Sequence, residues 1–157
     1  NGTPIRGLIE SKTIEGKHVV TIGLHGYFNS IAYKRYADEQ GVKYYTLREV
    51  RKVGIEQIIN ESIQYLSEKV DLIYLTVDMD VLDVAFSPAA PASAPGGMYT
   101  WELLESMFLL GMEKKIAAMD VVCLDPYRDS SQMITGKTAA YAILNFLCGY
   151  ICRSRKK

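Results

Sequence analysis

Two hydrophobic periodicities alternate along the chain. Four short runs are almost continuously apolar and rich in β-branched or aromatic residues, which is typical of buried strands. The stretches between them repeat apolar residues at three- and four-residue spacing, as amphipathic helices do. The predicted strands are residues 18–24, 42–46, 72–77 and 116–124. Strands that alternate with helices predict an α/β fold, a three-layer αβα arrangement with a mainly parallel sheet covered on both faces.

Capping residues set the ends of the predicted helices. Side chains that accept backbone N–H groups favour a helix start, and glycine favours a helix end. The predicted helices are 30–41 (Ser30 cap, Gly41 end), 46–66 (Thr46 and Glu49 as a capping box), 100–111 (Thr100 cap, Gly111 end) and about 135–151. No repeat or linker divides the 157 residues, so we expect one globular unit.

Overall charge excludes some partners. Eighteen basic residues balance eighteen acidic ones, which gives no attraction to nucleic acid or to an anionic membrane. The basic residues 153–157 are expected to be a solvated helix end. No apolar run approaches the roughly 20 residues of a membrane span, and the first ten residues do not form a secretion signal. We therefore expect no nucleic-acid or membrane partner and a soluble, cytoplasmic protein.

The cysteines do not indicate a disulfide framework. There are three, an odd number, and Cys148 and Cys152 lie one helical turn apart in an apolar stretch. Such a pair is either a metal-binding pair or two reduced thiols that pack as small hydrophobic groups, and we favour buried packing. The sequence TGKT at 135–138 lacks the first glycine of a phosphate-binding loop, where Ser131 stands instead, so we interpret it as the start of a helix.

Candidate chemistry is concentrated in residues 77–98, VDMDVLDVAFSPAAPASAPGGM. Asp78 and Asp80 stand at the carboxyl end of a predicted strand, where ligands bind in open α/β sheets. In an extended segment, both carboxylates would face the same point while Met79 packs inward. Such a pair favours a divalent cation, and oxygen ligands suit manganese or magnesium better than zinc. Alternatively, one aspartate caps the loop and the other is solvated.

The same stretch resembles the signature of the ureohydrolase family, which comprises arginases, agmatinases and formimidoylglutamases. Five further segments, NGTPIRGLIE, VTIGLHGYFNSIAY, GVKYYTLREV, MDVVCLDPYRD and GKTAAYAILNFL, also follow the family's order and spacing. Among the branches, NGTPIRGLI, IGLHGYFNS and VCLDP are most similar to formimidoylglutamase-type members. The resemblance extends over nearly the whole chain and implies the α/β fold of that family.

By resemblance, Asp78 corresponds to the carboxylate that bridges two manganese ions and Asp80 to a ligand of one of them. Asp83 resembles a residue that holds the following loop. Such a metal pair lowers the pKa of a bridging water, which provides hydroxide for attack on an amidine or guanidine carbon. The resemblance therefore implies a binuclear Mn²⁺ site in which Asp78 is both ligand and catalytic residue.

The other metal ligands of the family are missing from the chain. They belong to a histidine after Gly-Gly-Asp and to an Asp-x-His-x-Asp cluster, both before the segment resembling NGTP, whereas the only histidines here are His18 and His25. We expect residues 1–157 to be the C-terminal portion of a single ureohydrolase domain that binds metal poorly and is inactive alone. A half sheet also leaves an edge open to pairing. The resemblance implies a homo-oligomer as well.

Two positions concern proton transfer. At Asn1 the arginases carry a histidine that shuttles protons, and an amide cannot titrate in that role. His25, at the end of the first predicted strand, is the candidate replacement or a substrate contact. A local hydrogen bond of the His25 ring is an equally good interpretation.

Two further positions concern the substrate. At Cys123 the guanidine-hydrolysing members carry a glutamate that pairs with the cationic substrate, and a neutral thiol cannot form that charge-assisted pair. Arg128 is a candidate partner for substrate carboxylates, with a surface ion pair to Asp125 or Asp129 as the alternative.

These observations predict a manganese-dependent hydrolase of small-molecule amidines. The substrate expected from the resemblance is N-formimidoyl-glutamate, which would yield glutamate and formamide. An agmatinase or other guanidine hydrolase is the first alternative. A non-catalytic assembly fragment is the second.

Overall fold

A computed structural model describes residues 4–155, which form six α-helices and four strands. In chain order these are α1 (Pro4–Glu10), β1 (Val20–Leu24), α2 (Ile31–Glu39), β2 (Lys43–Thr46), α3 (Leu47–Val53), α4 (Ile55–Ser67), β3 (Ile73–Asp78), α5 (Thr100–Met112), β4 (Ile116–Val122) and α6 (Ile134–Arg155). Every predicted strand and helix has a counterpart, and the α/β class is confirmed. The short α1, which buries only Ile9, was not predicted.

The four strands form two parallel pairs. β1 pairs with β2, and β3 pairs with β4. Among residues 4–155, the ladder hydrogen bonds do not join one pair to the other. The expected parallel sheet is therefore present as two separate two-stranded sheets.

Both pairs contribute to one hydrophobic core. Its most buried side chains come from α3, α4, α5 and the turn after β3, and β1 and β2 add Ile22 and Tyr45 at its edge. The largest fully enclosed apolar side chains are those of Ile58, Met79, Leu82, Met107 and Val50. The carboxyl end of β3 therefore leads directly into the best-packed region of the molecule.

The capping residues predicted for α2 and α3 were confirmed. Ser30 accepts the Tyr33 N–H at the start of α2, and Thr46 forms the predicted capping box with Glu49. The prediction of one continuous helix over 46–66 was wrong, because Gly54 adopts a φ of 100° and separates α3 from α4.

The ends of α5 differ from prediction. Its N-cap is Tyr99 rather than Thr100, and the Glu102 carboxylate accepts the Tyr99 N–H at 2.7 Å. Gly111 lies inside the helix and does not end it. A Cβ at Gly111 would overlap the carbonyl oxygen of Phe146 on α6, so this glycine permits close contact of two helix backbones.

Several surfaces that were expected to be buried are exposed. Leu75 and Val77 of β3 contact the core, whereas Tyr74 on the opposite face is 62% exposed within residues 4–155. Cys148 and Cys152 are also exposed, because the α6 face that carries them is not covered. Apolar patterning shows which side chains favour burial but not whether a covering element is present.

Helix length and composition bear on membrane insertion. Within residues 4–155, none of the helices has both the length and the apolar character that a transmembrane span requires.

Candidate metal centre

Three potential metal ligands meet at the carboxyl ends of β3 and β4. Asp78 is the last residue of β3, Asp80 lies in the 3-10 turn that follows, and Cys123 comes directly after β4. The strand register pairs Asp78 with Val122, which places Cys123 beside the acidic turn. One ligand atom from each of the three side chains lies within 4.8 Å of the other two. Among residues 4–155, no other group of acidic, histidine and cysteine side chains meets this criterion. We call these three residues the metal cluster.

A tight turn brings the two carboxylates together. The predicted extended conformation ends at Asp78, and Met79–Val81 form a 3-10 turn. The Asp78 carboxylate accepts the backbone N–H of Asp80 at 3.1 Å, so Asp78 also caps this turn. Met79 is fully buried, as predicted. Burial of Met79 anchors the turn in the core and leaves both carboxylates at the sheet edge.

Proton affinities in the cluster are raised. Burial, followed by the negative charge of Asp78, raises the pKa of Asp80 to about 6, and the positive charge of His25 acts in the opposite direction. Burial, a hydrogen bond to Asp78 and the nearby carboxylates raise the pKa of the Cys123 thiol to about 12. A site that disfavours its own negative charges is suited to a cation, which would relieve the repulsion. The two carboxylates thus fit a hard divalent metal, and the thiol adds a softer donor.

His25 lies near the cluster at the end of β1. Its Nδ1 is 3.1 Å from the carbonyl oxygen of Gly23, which can only accept, so the hydrogen bond requires Nδ1 to carry the proton. This assigns Nε2 as the nitrogen available to another partner when the ring is neutral. The local hydrogen bond considered from the sequence is therefore present, and it orients the ring without using Nε2.

Asp83 connects the two ends of the Pro/Gly loop. Its carboxylate accepts the N–H groups of Ala85 at 2.9 Å and Gly96 at 2.6 Å. These bonds, that of Ala85 first, hold the pKa of Asp83 below its usual range. Gly97 follows where a Cβ would overlap the backbone of Leu82 and Asp83. The loop therefore returns tightly against the turn that carries the metal cluster.

Arg51 of α3 supports the same loop from the side. It donates from Nη2 to the carbonyl oxygen of Gly97 at 2.7 Å, and its guanidinium lies 5.2 Å from the ring centroid of Tyr99. Tyr99 in turn meets Phe86 edge to face at 5.9 Å. Sequence reasoning missed Arg51, since nothing in a helical LREVRKV segment indicates a contact 46 residues away.

The remaining sequence candidates lie in different places. Asn1 lies outside the described residues. Arg128 is 77% exposed and forms an ion pair with Asp125 at 3.3 Å, the surface alternative considered for it. Cys123 adopts a left-handed conformation with φ 59°. Its position after the strand that neighbours β3 was the sequence signal that could have placed it in the metal cluster.

Comparisons with known proteins agree over most of the chain. A model of the arginase family matches residues 1–149. The formimidoylglutamase of Halalkalibacterium halodurans is 44% identical over 154 residues, which are 98% of this chain and 48% of that protein. The crystal structure of the Bacillus subtilis formimidoylglutamase superposes with a TM-score of 0.92 at 37% identity, over 96% of this chain and 46% of that one.

A more distant structure shares the fold. A Trypanosoma cruzi formiminoglutamase, crystallised with Mn²⁺, has a TM-score of 0.86 at 23% identity, over 95% of this chain and 50% of that one. The chain thus spans about half the length of the relatives that it matches.

Proposed function

The chain belongs to the arginase family, and from this premise we propose that it forms part of a manganese-dependent formimidoylglutamase. The complete protein would hydrolyse the amidine C–N bond of N-formimidoyl-glutamate, with water, to glutamate and formamide. The observation that carries the proposal is the paired carboxylate turn, Asp78 and Asp80, at the strand ends of a chain 44% identical to a formimidoylglutamase.

The metal would be held by the two carboxylates. Hard oxygen donors suit Mn²⁺, which prefers about six ligands. Asp78 and Asp80 supply only part of such a ligand set, so we propose that the rest of a binuclear site comes from the part of the family domain that this chain does not cover. When bound, the metal pair supplies hydroxide near neutral pH.

Other residues of this chain would support the metal centre and transfer protons. Asp83 and Arg51 hold the loop beside the cluster through the hydrogen bonds described above. The hydrogen bond of His25 to Gly23 uses Nδ1 and leaves out Nε2, which suits Nε2 to accept or donate a proton during C–N cleavage. Homo-oligomer formation stays a prediction, as does the inactivity of the chain alone.

The state of Cys123 favours an amidine substrate over arginine or agmatine. With a pKa of about 12, the thiol is neutral at physiological pH. It therefore cannot replace the anionic glutamate that, by resemblance, the guanidine-hydrolysing members of the family carry at this position. Its hydrogen bond is instead directed at Asp78.

The test is an activity assay on the chain assembled with the rest of its family domain. We expect Mn²⁺-dependent release of formamide from N-formimidoyl-glutamate, and a loss of at least about a hundredfold in Asp78→Asn, because this carboxylate is placed to hold the metal. Asp71→Asn, an exposed carboxylate just before β3, is the matched control and should stay within about twofold.

Three results would contradict the proposal. Full activity in Asp78→Asn would remove the carboxylate pair from the mechanism. Faster release of urea from agmatine would favour a guanidine hydrolase. Turnover by the isolated chain would show that the metal cluster needs no further ligands.

A further inference from the structure

Cys123 places a sulfur atom among the carboxylates of the metal cluster. Its Sγ and one carboxylate oxygen each of Asp78 and Asp80 all lie within 4.8 Å of one another. Donor atoms that share one tetrahedral ion, each at about 2.0–2.3 Å from it, are roughly 3.5 Å apart. Small rotations of the side chains therefore bring the sulfur and both oxygens onto a single ion. The metal centre of the proposed function thus has a soft donor within reach of its hard ones.

The backbone positions this sulfur from two sides. The strand register places Cys123, which follows β4, directly beside the acidic turn after β3. Two residues later, the Asp125 N–H donates to the carbonyl oxygen of Ala89 at 3.0 Å. The Ala89 N–H in turn donates to Thr135 Oγ1 at 2.9 Å. The position of Cys123 is therefore determined by β4 on one side and by the Pro/Gly loop on the other.

A thiol changes which ions such a centre prefers. Carboxylates suit Mn²⁺, whereas thiolates select softer ions such as Zn²⁺. At a given set of donors, Mn²⁺ is also the weakest binder of the first-row divalent series. By resemblance, the guanidine-hydrolysing members carry glutamate, another hard donor, at the position of Cys123. This chain therefore has a means of distinguishing thiophilic ions from Mn²⁺ that a carboxylate at this position would not provide.

We propose that Cys123 becomes a third ligand when a thiophilic divalent ion, such as Zn²⁺ or Cd²⁺, reaches Asp78 and Asp80, and that such ions displace Mn²⁺ and inhibit the enzyme. The inference rests on the proposed function, since it names a regulator of the same metal centre. In the binding step the S–H bond of Cys123 breaks, the sulfur electron pair forms the S–metal bond, and the proton passes to solvent. No oxidant or reductant is required. With Mn²⁺ the thiol keeps its proton, and only the two carboxylates of the cluster hold the metal.

The other two cysteines are removed before this thiol is tested. Cys148 and Cys152 are exposed and lie one helical turn apart on α6, so they would bind thiophilic ions themselves. The background protein therefore carries Cys148→Ser and Cys152→Ser, which leaves Cys123 as its only thiol. Every variant is made in this background.

Cd²⁺ is the probe, because a cadmium–thiolate bond has a charge-transfer band in the ultraviolet. In the metal-free background chain, Cd²⁺ should produce this band with one ion bound per chain. Cys123→Ser should remove the band and weaken Cd²⁺ binding at least about tenfold, the loss typical of a missing partner at a metal site. Asp80→Asn should also weaken Cd²⁺ binding about tenfold. Asp71→Asn, at an exposed carboxylate just before β3, is the matched control and should leave the affinity unchanged.

Displacement of Mn²⁺ is measured on the Mn²⁺-loaded protein, assembled with the rest of its family domain. Free Mn²⁺ is counted by electron paramagnetic resonance as Cd²⁺ is added. Cys123→Ser should need at least about tenfold more Cd²⁺ to release the same amount of Mn²⁺. Modification of Cys123 by iodoacetamide gives a reading without any substitution of this residue. Cd²⁺ should slow this modification of the background chain, and Mn²⁺ should not.

Each result has a defined meaning. Absence of the cadmium–thiolate band in the background chain overturns the inference, as does Cd²⁺ binding that Asp80→Asn leaves unchanged, because the thiol and the carboxylates then do not share one ion. Equal release of Mn²⁺ from the background protein and from Cys123→Ser also overturns it. So does equal slowing of the modification by Mn²⁺ and Cd²⁺, because the thiol then does not distinguish the two ions. Failure to hydrolyse N-formimidoyl-glutamate, with the band and its loss as expected, contradicts only the proposed function.

Discussion

Replacing Asp80 by asparagine should stabilise the metal-free chain at neutral pH. The folded state raises the pKa of Asp80 from an ordinary 3.8 to about 6, through burial and then through repulsion from Asp78. Asparagine keeps the shape of the side chain and the backbone N–H that Asp78 accepts, but it removes the charge. The variant therefore relieves the repulsion without disturbing the turn that burial of Met79 anchors.

The sign and size of the effect follow from linkage. A carboxyl whose pKa is raised on folding contributes full stability below pH 3.8, and that contribution is lost as pH rises through about 6. Each unit of pKa shift corresponds to about 1.4 kcal/mol. Because Asp80 is half-exposed, solvent screening reduces the sum of about 3 kcal/mol to roughly 1 kcal/mol. For a chain of this size, that is about 3 °C in melting temperature.

The assay is urea unfolding of both proteins in a chelator at pH 3.5 and pH 7.5. We expect the free energy of unfolding of Asp80→Asn to exceed that of the wild type by about 1 kcal/mol at pH 7.5, and the two to agree at pH 3.5, where Asp80 is neutral in both states. Asp71→Asn, at an exposed site, should show no such difference. A variant less stable than the wild type at pH 7.5 would refute the reasoning, since the carboxylates would then not repel.

Two further substitutions test the supports of the site by urea unfolding. Gly97→Ala should lower the free energy of unfolding by about 2 kcal/mol or more, because a Cβ there overlaps the backbone of Asp83. The control Gly7→Ala, at a position with open space around it, should be neutral or stabilising. Equal effects of the two substitutions would contradict this prediction. Thr135→Val should lower the free energy of unfolding by about 1–3 kcal/mol, because the buried Ala89 N–H donates to Thr135 Oγ1 at 2.9 Å and would lose this acceptor. An unchanged free energy of unfolding would show that this N–H finds another partner.

Elements with strong local signals were predictable from the sequence. The capping box of Thr46 and Glu49 and the apolar strand that ends at Asp78 depend on neighbouring residues alone, and both were confirmed. The two aspartates were likewise recognisable as neighbours. Their approach was predicted for an extended segment, but the 3-10 turn after Asp78 was not, because it depends on the burial of Met79 by elements distant in sequence.

Features that depend on tertiary contact could not be predicted. Gly111 has the pattern of a helix end, but its function is to admit the backbone of α6. Arg51 reaches the loop carbonyl of Gly97 only because α3 lies beside that loop. Cys148 and Cys152 show the same limit for burial, since an apolar pattern on a helix does not show whether another element covers it. In each case the missing information is the identity of the neighbour.

The glycine contacts between α5 and α6 bear on the order of folding. Gly149 admits the Phe108 carbonyl as Gly111 admits that of Phe146, and Arg153 donates to the Glu113 carbonyl, so the two helices join at several points. Their segments are separated only by β4 and one loop, which keeps the entropy of loop closure low. We therefore expect this helix pair to form early in folding, before the β3 turn and its aspartates are in place.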